Sequence, residues 1–466
     1  MERKSKRMMT VLLLSLAMLA TTFQECLSDS SQPPSKRMST KSTPPRNAGS
    51  TIVFPVTGNV YPHGGYSVSL QIGNPPKNFE LDFDTGSDLT WVQCEAPCQN
   101  CTQPRGSLYK PNNNFISSDD PLCKAIQASG KPLNKSPNDL CNYKIEYADH
   151  SSSRGVLVSD QFSLRPTKGS QLIPRLGFGC GYDQKYSGPY PHQSTAGVLG
   201  LGNGKAGIMS QLNALHLTRN VLGHCLSGQG GGFLFLGDDF VSPSGIVWTP
   251  MSHGSSGKQY SSGQAELLYD RKATGVKGLQ VIFDSGSTYT YFDPQAYKTT
   301  LDMVRRELSR DLKGKPLIET RDPALSICWK GPKPFKTVSD VKHYFKPLHL
   351  SFTAAENALL ELSPRAYLIV SELGNVCLGI LNGAEVGLQD LNLIGDISMQ
   401  DKLVIYNNEK QQIGWISSNC NNPSPELLDG SRKLSLHESV WGRKVKHISL
   451  AKRNQCKEHS PIPTSH

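Results

Sequence analysis

The chain has 466 residues, of which 37% are hydrophobic and 19% are charged, a composition that is typical of a globular protein and excludes one embedded in a membrane. Its formal net charge of +10 lies almost entirely at the two ends, since residues 1–50 carry eight Lys/Arg against three Asp/Glu and residues 421–466 carry eight against four. Residues 51–420 therefore hold a net charge of only about +1, and nothing in them predicts the basic stripe that nucleic-acid binding requires.

The first 22 residues have the pattern of a secretory signal peptide. A basic segment with Arg3 and Lys4 precedes a short apolar run at residues 11–20, and small residues follow. An uncleaved signal anchor is the alternative, but about ten to thirteen apolar residues are short for a membrane span. Residues 23–50, rich in Ser, Pro, Lys and Thr, predict a propeptide or disordered linker. We therefore expect the secretory pathway, with no membrane span in the mature chain.

From residue 51 onward, short alternating segments separated by Gly and Pro predict a mainly antiparallel, all-β fold. Residues 66–72 alternate apolar and polar side chains, and residues 78–83 form a second strand that leads into an acidic turn. A cysteine-rich insert with little strand pattern occupies residues 94–141. Residues 141–147 and 155–164 then predict a hairpin with its tip at 149–154.

The second half repeats this pattern. A polar, glycine-rich stretch at residues 252–263 marks a boundary between an N-terminal lobe, residues 51–250, and a C-terminal lobe, residues 251–420. The clearest helix is predicted at residues 293–308, with Pro294 in its first turn. Residues 421–466 form a basic C-terminal extension.

Twelve cysteines indicate an oxidising compartment. Cys26 and Cys456 lie in the two ends, which leaves an even number, ten, in the body of the chain. Cys94, Cys98 and Cys101 have a C-x3-C-x2-C spacing that could bind a metal or an iron–sulfur cluster. Disulfides are favoured because the protein is expected to be secreted, so no metal and no cofactor is predicted.

One short motif occurs twice, 200 residues apart, as FDTGS at residues 83–87 and FDSGS at residues 283–287. Asp84 and Asp284 each stand between an apolar residue and a glycine turn. Tight turns in which Asp and Ser bond local amides would explain one copy, but not the matched flanking residues. Two carboxylates held together cannot both ionise, and such a pair suits general acid/base catalysis on a water molecule.

A second pair of matching segments follows these turns. Val198-Leu199-Gly200 lies beyond the first aspartate and Leu393-Ile394-Gly395 beyond the second, at similar distances. A glycine after two apolar residues allows another strand to pass close beside the acidic turn, because glycine has no Cβ to clash.

With these motifs the chain resembles the pepsin-like aspartic proteases, and more closely their plant nucellin-like and nepenthesin-like branch. The resemblance covers about residues 60–420. It rests on FDTGSDLTWVQC at 83–94, the cysteine-rich insert, FGCGY at 178–182, GHCL at 223–226 and FDSGSTYTYF at 283–292.

The resemblance implies a bilobal fold with an active-site cleft between two related lobes. Asp84 and Asp284 would be the catalytic pair that shares one proton and binds the attacking water. The remaining implied roles are those of supporting residues: hydrogen bonds to the outer carboxylate oxygens from Ser87 and Ser287, bonds across the lobe interface from Thr85 and Ser285, the motif glycines Gly86 and Gly286, the flap aromatic Tyr147, and Trp91 as the indole that holds Tyr147. Trp91 could also be a plain core residue.

The resemblance also implies five disulfides. These would be Cys94–Cys98, Cys101–Cys180, Cys123–Cys141, Cys225–Cys420 and Cys328–Cys377.

The expected activity is that of a monomeric aspartic endopeptidase acting on polypeptides, without metal or cofactor and with an acidic pH optimum. The alternative is a non-catalytic binder or inhibitor on the same bilobal scaffold. The expected location is the extracellular space (apoplast) or the vacuole. Asn100-Cys101-Thr102 and Asn134-Lys135-Ser136 match the glycosylation sequon, but a bridged Cys101 and the following Pro137 argue against both.

Overall fold

The computed structural model describes residues 50–95, 98–127, 136, 139–186, 195–241, 244–252, 258–309 and 317–421. The predicted signal peptide, nearly all of the predicted propeptide and C-terminal extension, and the Asn134 sequon lie outside these residues. Within them, no helix combines the length and the apolar character needed to cross a bilayer.

Strands dominate the described residues. They are β1 (Ile52–Asn59), β2 (Gly65–Ile72), β3 (Lys77–Asp84), β4 (Trp91–Gln93), β5 (Asn142–Glu146), β6 (Ser152–Ser163), β7 (Arg175–Lys185), β8 (Gly197–Gly200), β9 (Val221–Leu226), β10 (Gly232–Leu236), β11 (Val247–Pro250), β12 (Tyr260–Tyr269), β13 (Lys272–Ala273), β14 (Leu279–Phe283), β15 (Thr290–Phe292), β16 (Ile318–Thr320), β17 (Cys328–Lys330), β18 (Leu348–Phe352), β19 (Leu359–Leu362), β20 (Leu368–Val370), β21 (Val376–Leu378), β22 (Ile380–Asn382), β23 (Leu391–Ile394), β24 (Lys402–Asn407) and β25 (Gln412–Ser417).

Helices are few and short in the same residues. The α-helices are α1 (Pro121–Gln127), α2 (Ile208–Ala214), α3 (Pro294–Ser309) and α4 (Asp396–Met399), and the 3-10 turns are Arg105–Ser107, Val338–Asp340, Pro364–Ala366 and Gly383–Val386.

The strands form three sheets of 13, 8 and 4 strands. The order in the largest is β11-β25-β24-β9-β10-β1-β2-β3-β8-β4-β7-β6-β5, and the second follows β19-β18-β12-β14-β23-β15-β22 with β13 beside β12. The smallest has the order β16-β17-β21-β20. Most neighbouring strands are antiparallel, so the predicted all-β, mainly antiparallel class is confirmed.

Two of the four parallel strand pairs among the described residues lead into the two acidic turns. β3 runs parallel to β8, with Asp84 beside Gly200, and β14 runs parallel to β23, with Phe283 beside Ile394. A Cβ on Gly200 would lie 2.7 Å from the backbone of Leu89, and one on Gly395 would lie 2.5 Å from a backbone oxygen of the second turn. The close approach predicted from the two apolar-apolar-glycine segments is therefore confirmed, and the two lobes are built alike where they carry the aspartates.

The final strands return to the sheet of the first lobe. β24 pairs with β9, Leu403 beside Cys225, and β25 pairs with β24 and β11. Residues 402–417 therefore lie in the same sheet as residues 52–59 and 221–236. The predicted lobes are continuous segments of the chain, whereas this sheet combines strands of the N-terminal segment with β24 and β25 of the C-terminal one.

Helix α3 begins where the sequence predicts it. The Asp293 carboxylate accepts the backbone N–H groups of Gln295 and Ala296, both at 2.9 Å, and so caps the first turn. The buried residues of the helix recur at helical spacing, which turns one face to the core. They are Ala296, Thr300, Leu301, Val304 and Leu308.

Five disulfides join the described cysteines, and two of the predicted pairs are wrong. Cys123–Cys141, Cys225–Cys420 and Cys328–Cys377 are confirmed. Instead of Cys94–Cys98 and Cys101–Cys180, the bonds are Cys94–Cys180 and Cys98–Cys101. The reason is strand pairing. β4 runs parallel to β7, the Cys94 N–H donates to the Gly181 carbonyl at 3.0 Å, and the Cα atoms of Cys94 and Cys180 are 5.2 Å apart.

Candidate active site

The two acidic turns meet at the base of the cleft between the lobes. Asp84 ends β3 and Asp284 directly follows β14. Each carboxylate accepts the backbone N–H of the glycine two residues ahead, Gly86 at 2.7 Å and Gly286 at 2.9 Å, through its Oδ1 atom. The two carboxyl groups are themselves within hydrogen-bonding reach of each other. The structure thus brings together the two aspartates that the sequence singled out.

Each glycine also lies against the carboxylate of the opposite lobe. A Cβ on Gly86 would lie 2.5 Å from Oδ1 of Asp284, and one on Gly286 would overlap Oδ1 of Asp84 and lie 2.6 Å from its Cγ. Side-chain carbons do not approach other heavy atoms this closely, so glycine is required at both positions by the neighbouring lobe. The pair of contacts is nearly symmetrical.

Beneath the carboxylates, Thr85 and Ser285 join the lobes by four hydrogen bonds. The backbone N–H of Thr85 donates to Ser285 Oγ at 3.1 Å, and the N–H of Ser285 donates to Thr85 Oγ1 at 2.9 Å. Each hydroxyl then donates to the opposite chain, Thr85 to the Phe283 carbonyl at 3.1 Å and Ser285 to the Phe83 carbonyl at 3.0 Å. Both side chains are buried. The predicted bonds across the interface are present.

The two motif serines differ. Ser87 Oγ donates to Asp84 Oδ2, as predicted. Ser287 Oγ instead donates to the carbonyl of Tyr289 at 3.3 Å, so the prediction that it bonds the carboxylate of Asp284 is wrong. The hydroxyl of a serine in a turn can bond to a backbone group two residues along, and this carbonyl competes successfully with the carboxyl.

Burial raises the pKa of Asp284 well above its usual range, and the charge of Asp84 and a hydrogen bond to it raise it further. The N–H groups of Gly86 and Gly286 act in the opposite direction but do not outweigh burial. The pair therefore keeps a shared proton to higher pH than an isolated aspartate would.

The hairpin of β5 and β6 covers the site as predicted, with Tyr147 at its bend. The bend spans residues 147–151, because β6 begins at Ser152 rather than at the predicted residue 155. Trp91 Nε1–H donates to the Tyr147 hydroxyl at 2.7 Å, which confirms the predicted pairing. The Tyr147 hydroxyl also hydrogen-bonds with Ser87, so the flap is linked to Asp84 through one serine.

A cavity of about 550 Å³ runs from the dyad along the cleft. Its walls include Asp84, Gly286, Trp91 and Tyr147, together with polar residues that the sequence analysis did not select. Chief among these are two further carboxylates, Asp82 and Asp396.

Both missed carboxylates had a signal in the sequence. Asp82 lies two residues before Asp84 on one strand, and alternate residues of a strand share a face. Its side chain is exposed to the cavity, but desolvation by the surrounding cleft raises its pKa to about 6, and Asp84 and Glu80 add to the shift. Asp396 directly follows the Leu393-Ile394-Gly395 segment. It is 1% exposed, and burial followed by the charge of Asp284 raises its pKa well above the usual range.

Comparison with known proteins places this site in a family. Residues 66–238 match the family described as xylanase inhibitor N-terminal, and residues 263–417 match the one described as xylanase inhibitor C-terminal. An aspartic proteinase of rice (Oryza sativa subsp. japonica) is 44% identical over 382 residues, which is 80% of this chain and 92% of the relative. The chain belongs to the pepsin-like aspartic protease family. Aspartic proteinase nepenthesin-2 of Nepenthes gracilis is a more distant member, 25% identical over 77% of this chain and 78% of its own.

Solved structures with low sequence identity to this chain share its fold. Basic 7S globulin from soybean has a TM-score of 0.60 and 15% identity, covering 81% of this chain and 99% of the globulin. Conglutin gamma, a basic 7S globulin from lupine seeds, also has a TM-score of 0.60 and 15% identity, covering 79% and 95%. These likenesses confirm the bilobal fold, and they say nothing further about activity.

Proposed function

We propose that the protein is an aspartic endopeptidase that hydrolyses peptide bonds in polypeptides with water activated between Asp84 and Asp284. The observation that carries this proposal is the paired arrangement of the two turns. Each carboxylate is held by the amide of its own glycine and faces the glycine of the other lobe, which fixes the distance between the carboxyl groups. Such preorganisation of acid and base is what water-mediated acyl transfer requires.

In this mechanism Asp84 is the base and Asp284 the acid. Water binds between the carboxyl groups, Asp84 accepts one of its protons, and the oxygen attacks the carbonyl carbon of the scissile bond. Asp284 donates its proton to the carbonyl oxygen, which gives a neutral diol. The proton on Asp84 then passes to the amide nitrogen, the C–N bond breaks, and one hydroxyl of the diol returns a proton to Asp284, so that the acid and the amine leave and the pair again holds one proton. The raised pKa of Asp284 supports its role as the proton donor.

The pH optimum is expected to be acidic, because the pair must carry one proton. As pH rises through the raised pKa of Asp284 the proton is lost, two charges oppose each other, and the acid for the first step disappears. A pH–rate profile that peaks above pH 8 would contradict this mechanism.

The flap supports the same proposal. The Tyr147 hydroxyl is held between the indole of Trp91 and the hydroxyl of Ser87, so the hairpin sits directly over the dyad. A closed hairpin excludes bulk water from the reaction and strengthens the electrostatic interactions within the cleft.

A non-catalytic binder is the second candidate function. It is favoured by the description of the matching family, xylanase inhibitor, and by the sharing of this fold with seed globulins. A fold alone does not decide function. A binder needs neither two carboxyl groups in contact nor glycines that leave room for them, and both features are present here.

The proposal extends to location and assembly. Five disulfides support folding in the secretory pathway, with the apoplast or the vacuole as the destination. Both halves of the site come from one chain, which supports a monomeric enzyme.

Hydrolysis of denatured casein by the processed, disulfide-intact protein between pH 3 and 8 tests the proposal. Wild type is expected to cleave at acidic pH, and pepstatin and Asp84→Asn are each expected to abolish cleavage. Asp302→Asn is a matched control because this exposed carboxylate on α3 pairs with Lys298 and does not line the cavity at the dyad. Cleavage that survives in Asp84→Asn would refute the dyad mechanism, and no cleavage by wild type at any pH would favour the binder.

A further inference from the structure

One end of the cleft is polar in a way that the hydrolytic mechanism does not use. Asp82 lies on β3 two residues before Asp84, so its side chain shares the face of the dyad at a distance of roughly 7 Å along the strand. Its Oδ2 atom accepts a hydrogen bond from Thr195 Oγ1 at 2.7 Å. The charges that act on it most are those of Asp84 and Glu80, which are both acidic. Asp82 thus has a neutral hydrogen-bond donor and two acidic neighbours.

A buried amide lines the same cavity. The side chain of Gln184, on β7, is 1% exposed, and neither its oxygen nor its nitrogen has a hydrogen-bond partner among the described residues. It packs against Gly181, where a Cβ would lie 2.7 Å from its Nε2 atom. Both polar atoms of Gln184 are shielded from solvent, so this side chain offers a substrate no accessible hydrogen-bonding group.

The neighbouring wall of the cavity carries a glutamine whose hydrogen bonds are already made within the protein. Gln93 is 2% exposed, its Oε1 atom accepts the backbone N–H groups of Thr102 and Gln103 at 3.0 Å, and its Nε2 donates to Thr102 Oγ1 at 2.8 Å. It therefore supports the cavity without competing for a ligand. Lys185 also lines the cavity, but it is paired across the strands with Ser152 at the flap, and its charge acts on Glu146.

We propose that Asp82 forms a subsite for a basic substrate side chain on a residue that flanks the scissile bond. The inference rests on the proposed endopeptidase function and names its substrate class, polypeptides with Lys or Arg at that position. Asp82, which lines the cavity on the face of the dyad, pairs with the cationic group. The long apolar stem of Lys or Arg crosses the distance from the dyad.

The same arrangement discriminates against apolar side chains. A leucine at this position would cover the Asp82 carboxylate without bonding to it. Sites built to pair with a polar group reject ligands that lack it, because the site's own polar group then loses water without gaining a partner.

The preference should depend on pH. Asp82 is exposed to the cavity, and desolvation by the cleft around it raises its pKa to about 6, so it is neutral in strongly acidic solution and charged near neutrality. The charged and titratable groups around it are Glu80 and Asp84 on its own strand and Asp396 from α4. Along the same cavity they are His63 after β1, Asp149 on the flap and Lys185 on β7. We expect the advantage of a basic over an apolar side chain to increase between pH 4 and pH 6.5.

The test compares specificity rather than activity alone. Cleavage of a mixed peptide library, read by mass spectrometry, identifies the flanking position at which Lys and Arg are enriched. Two peptides that differ only by Lys or Leu at that position then give a ratio of kcat/KM. Asp82→Asn is expected to lower this ratio about tenfold to a hundredfold, the value of a hydrogen bond to a charged group, while the Leu peptide is still cleaved and reports a folded enzyme.

Glu80→Gln is the matched control, since it removes the same charge two residues away on the same strand, where the carboxylate is bonded to the hydroxyls of Thr57 and Ser67. Because the charge of Glu80 raises the pKa of Asp82, its removal leaves Asp82 at least as ionised, so the ratio should be no lower than that of wild type. Cleavage by wild type without enrichment of Lys or Arg, or a ratio that persists in Asp82→Asn, overturns the subsite alone. No cleavage of any peptide by wild type overturns the proposed function and the subsite with it.

Discussion

The contact between each glycine and the opposite carboxylate predicts that Gly286→Ala disables the site with little effect on the fold. The added methyl group would lie 2.6 Å from Cγ of Asp84, and ordinary contact begins near 3.4 Å. The two groups must therefore separate by roughly 0.8 Å, and a misplacement of this order costs about a hundredfold in rate. The backbone at Gly286 does not have the positive φ that alanine avoids, so no backbone penalty is added.

A casein assay and a short fluorogenic peptide measure the effect. Gly286→Ala is expected to lower kcat about a hundredfold, or about 2.7 kcal/mol in activation free energy, with a smaller change in KM. Gly86→Ala should behave alike, since its methyl group would lie 2.5 Å from Oδ1 of Asp284. Gly106→Ala is the control, because a Cβ there meets no atom within 4 Å. If Gly286→Ala retains kcat within about threefold of the control, the carboxyl groups are not held by this contact and the reasoning fails.

Three other changes have defined outcomes. Tyr147→Phe removes the acceptor of the indole N–H and should lower kcat/KM about tenfold with an unchanged melting temperature, which a thermal scan beside the kinetics would check. Asp396→Asn should raise the melting temperature more at pH 7 than at pH 4. A carboxyl with a raised pKa binds its proton more tightly in the folded state, so the wild type loses stability as pH rises through that pKa. Equal shifts of the melting temperature at both pH values would contradict this. Replacing both cysteines of Cys94–Cys180, separated by 86 residues, should lower the free energy of unfolding by about 4–5 kcal/mol through loop entropy, against about 2 kcal/mol for Cys98–Cys101, which spans three residues. Non-reducing peptide mapping would test the pairing, and denaturant unfolding would test which loss is larger.

The sequence predicted the features that depend on local pattern or on repetition. The duplicated turns of Asp84 and Asp284, the glycine segments beside them and the capped helix at Pro294 all follow from short motifs with one physical solution. The hairpin that carries Tyr147 was also predictable, because two alternating segments flank a polar turn.

What could not be predicted depends on pairing between distant segments. Cys94 has two cysteines within seven residues, and only the register of β4 against β7 shows that its partner is Cys180. Ser287 matches Ser87 in sequence, yet a backbone carbonyl that is available only in the folded turn takes its hydroxyl. The return of β24 to the first sheet likewise depends on pairing between strands that are far apart in the sequence.

The carboxyl groups of the cleft affect one another's pKa values, so the dyad does not titrate independently of the carboxyl groups beside it. The pKa of Asp284 responds to Asp84, that of Asp82 to Asp84, and that of Asp396 to all three. All three shifts are upward and begin with desolvation, so lowering the pH adds protons at Asp396, Asp82 and Asp284 and reduces the repulsion on Asp84. An acidic optimum then follows from the whole cluster. Because a neighbouring negative charge raises the pKa values of the dyad, removing the charge of Asp82 or Asp396 should lower them and move the loss of activity to lower pH, even though neither group exchanges a proton with the substrate.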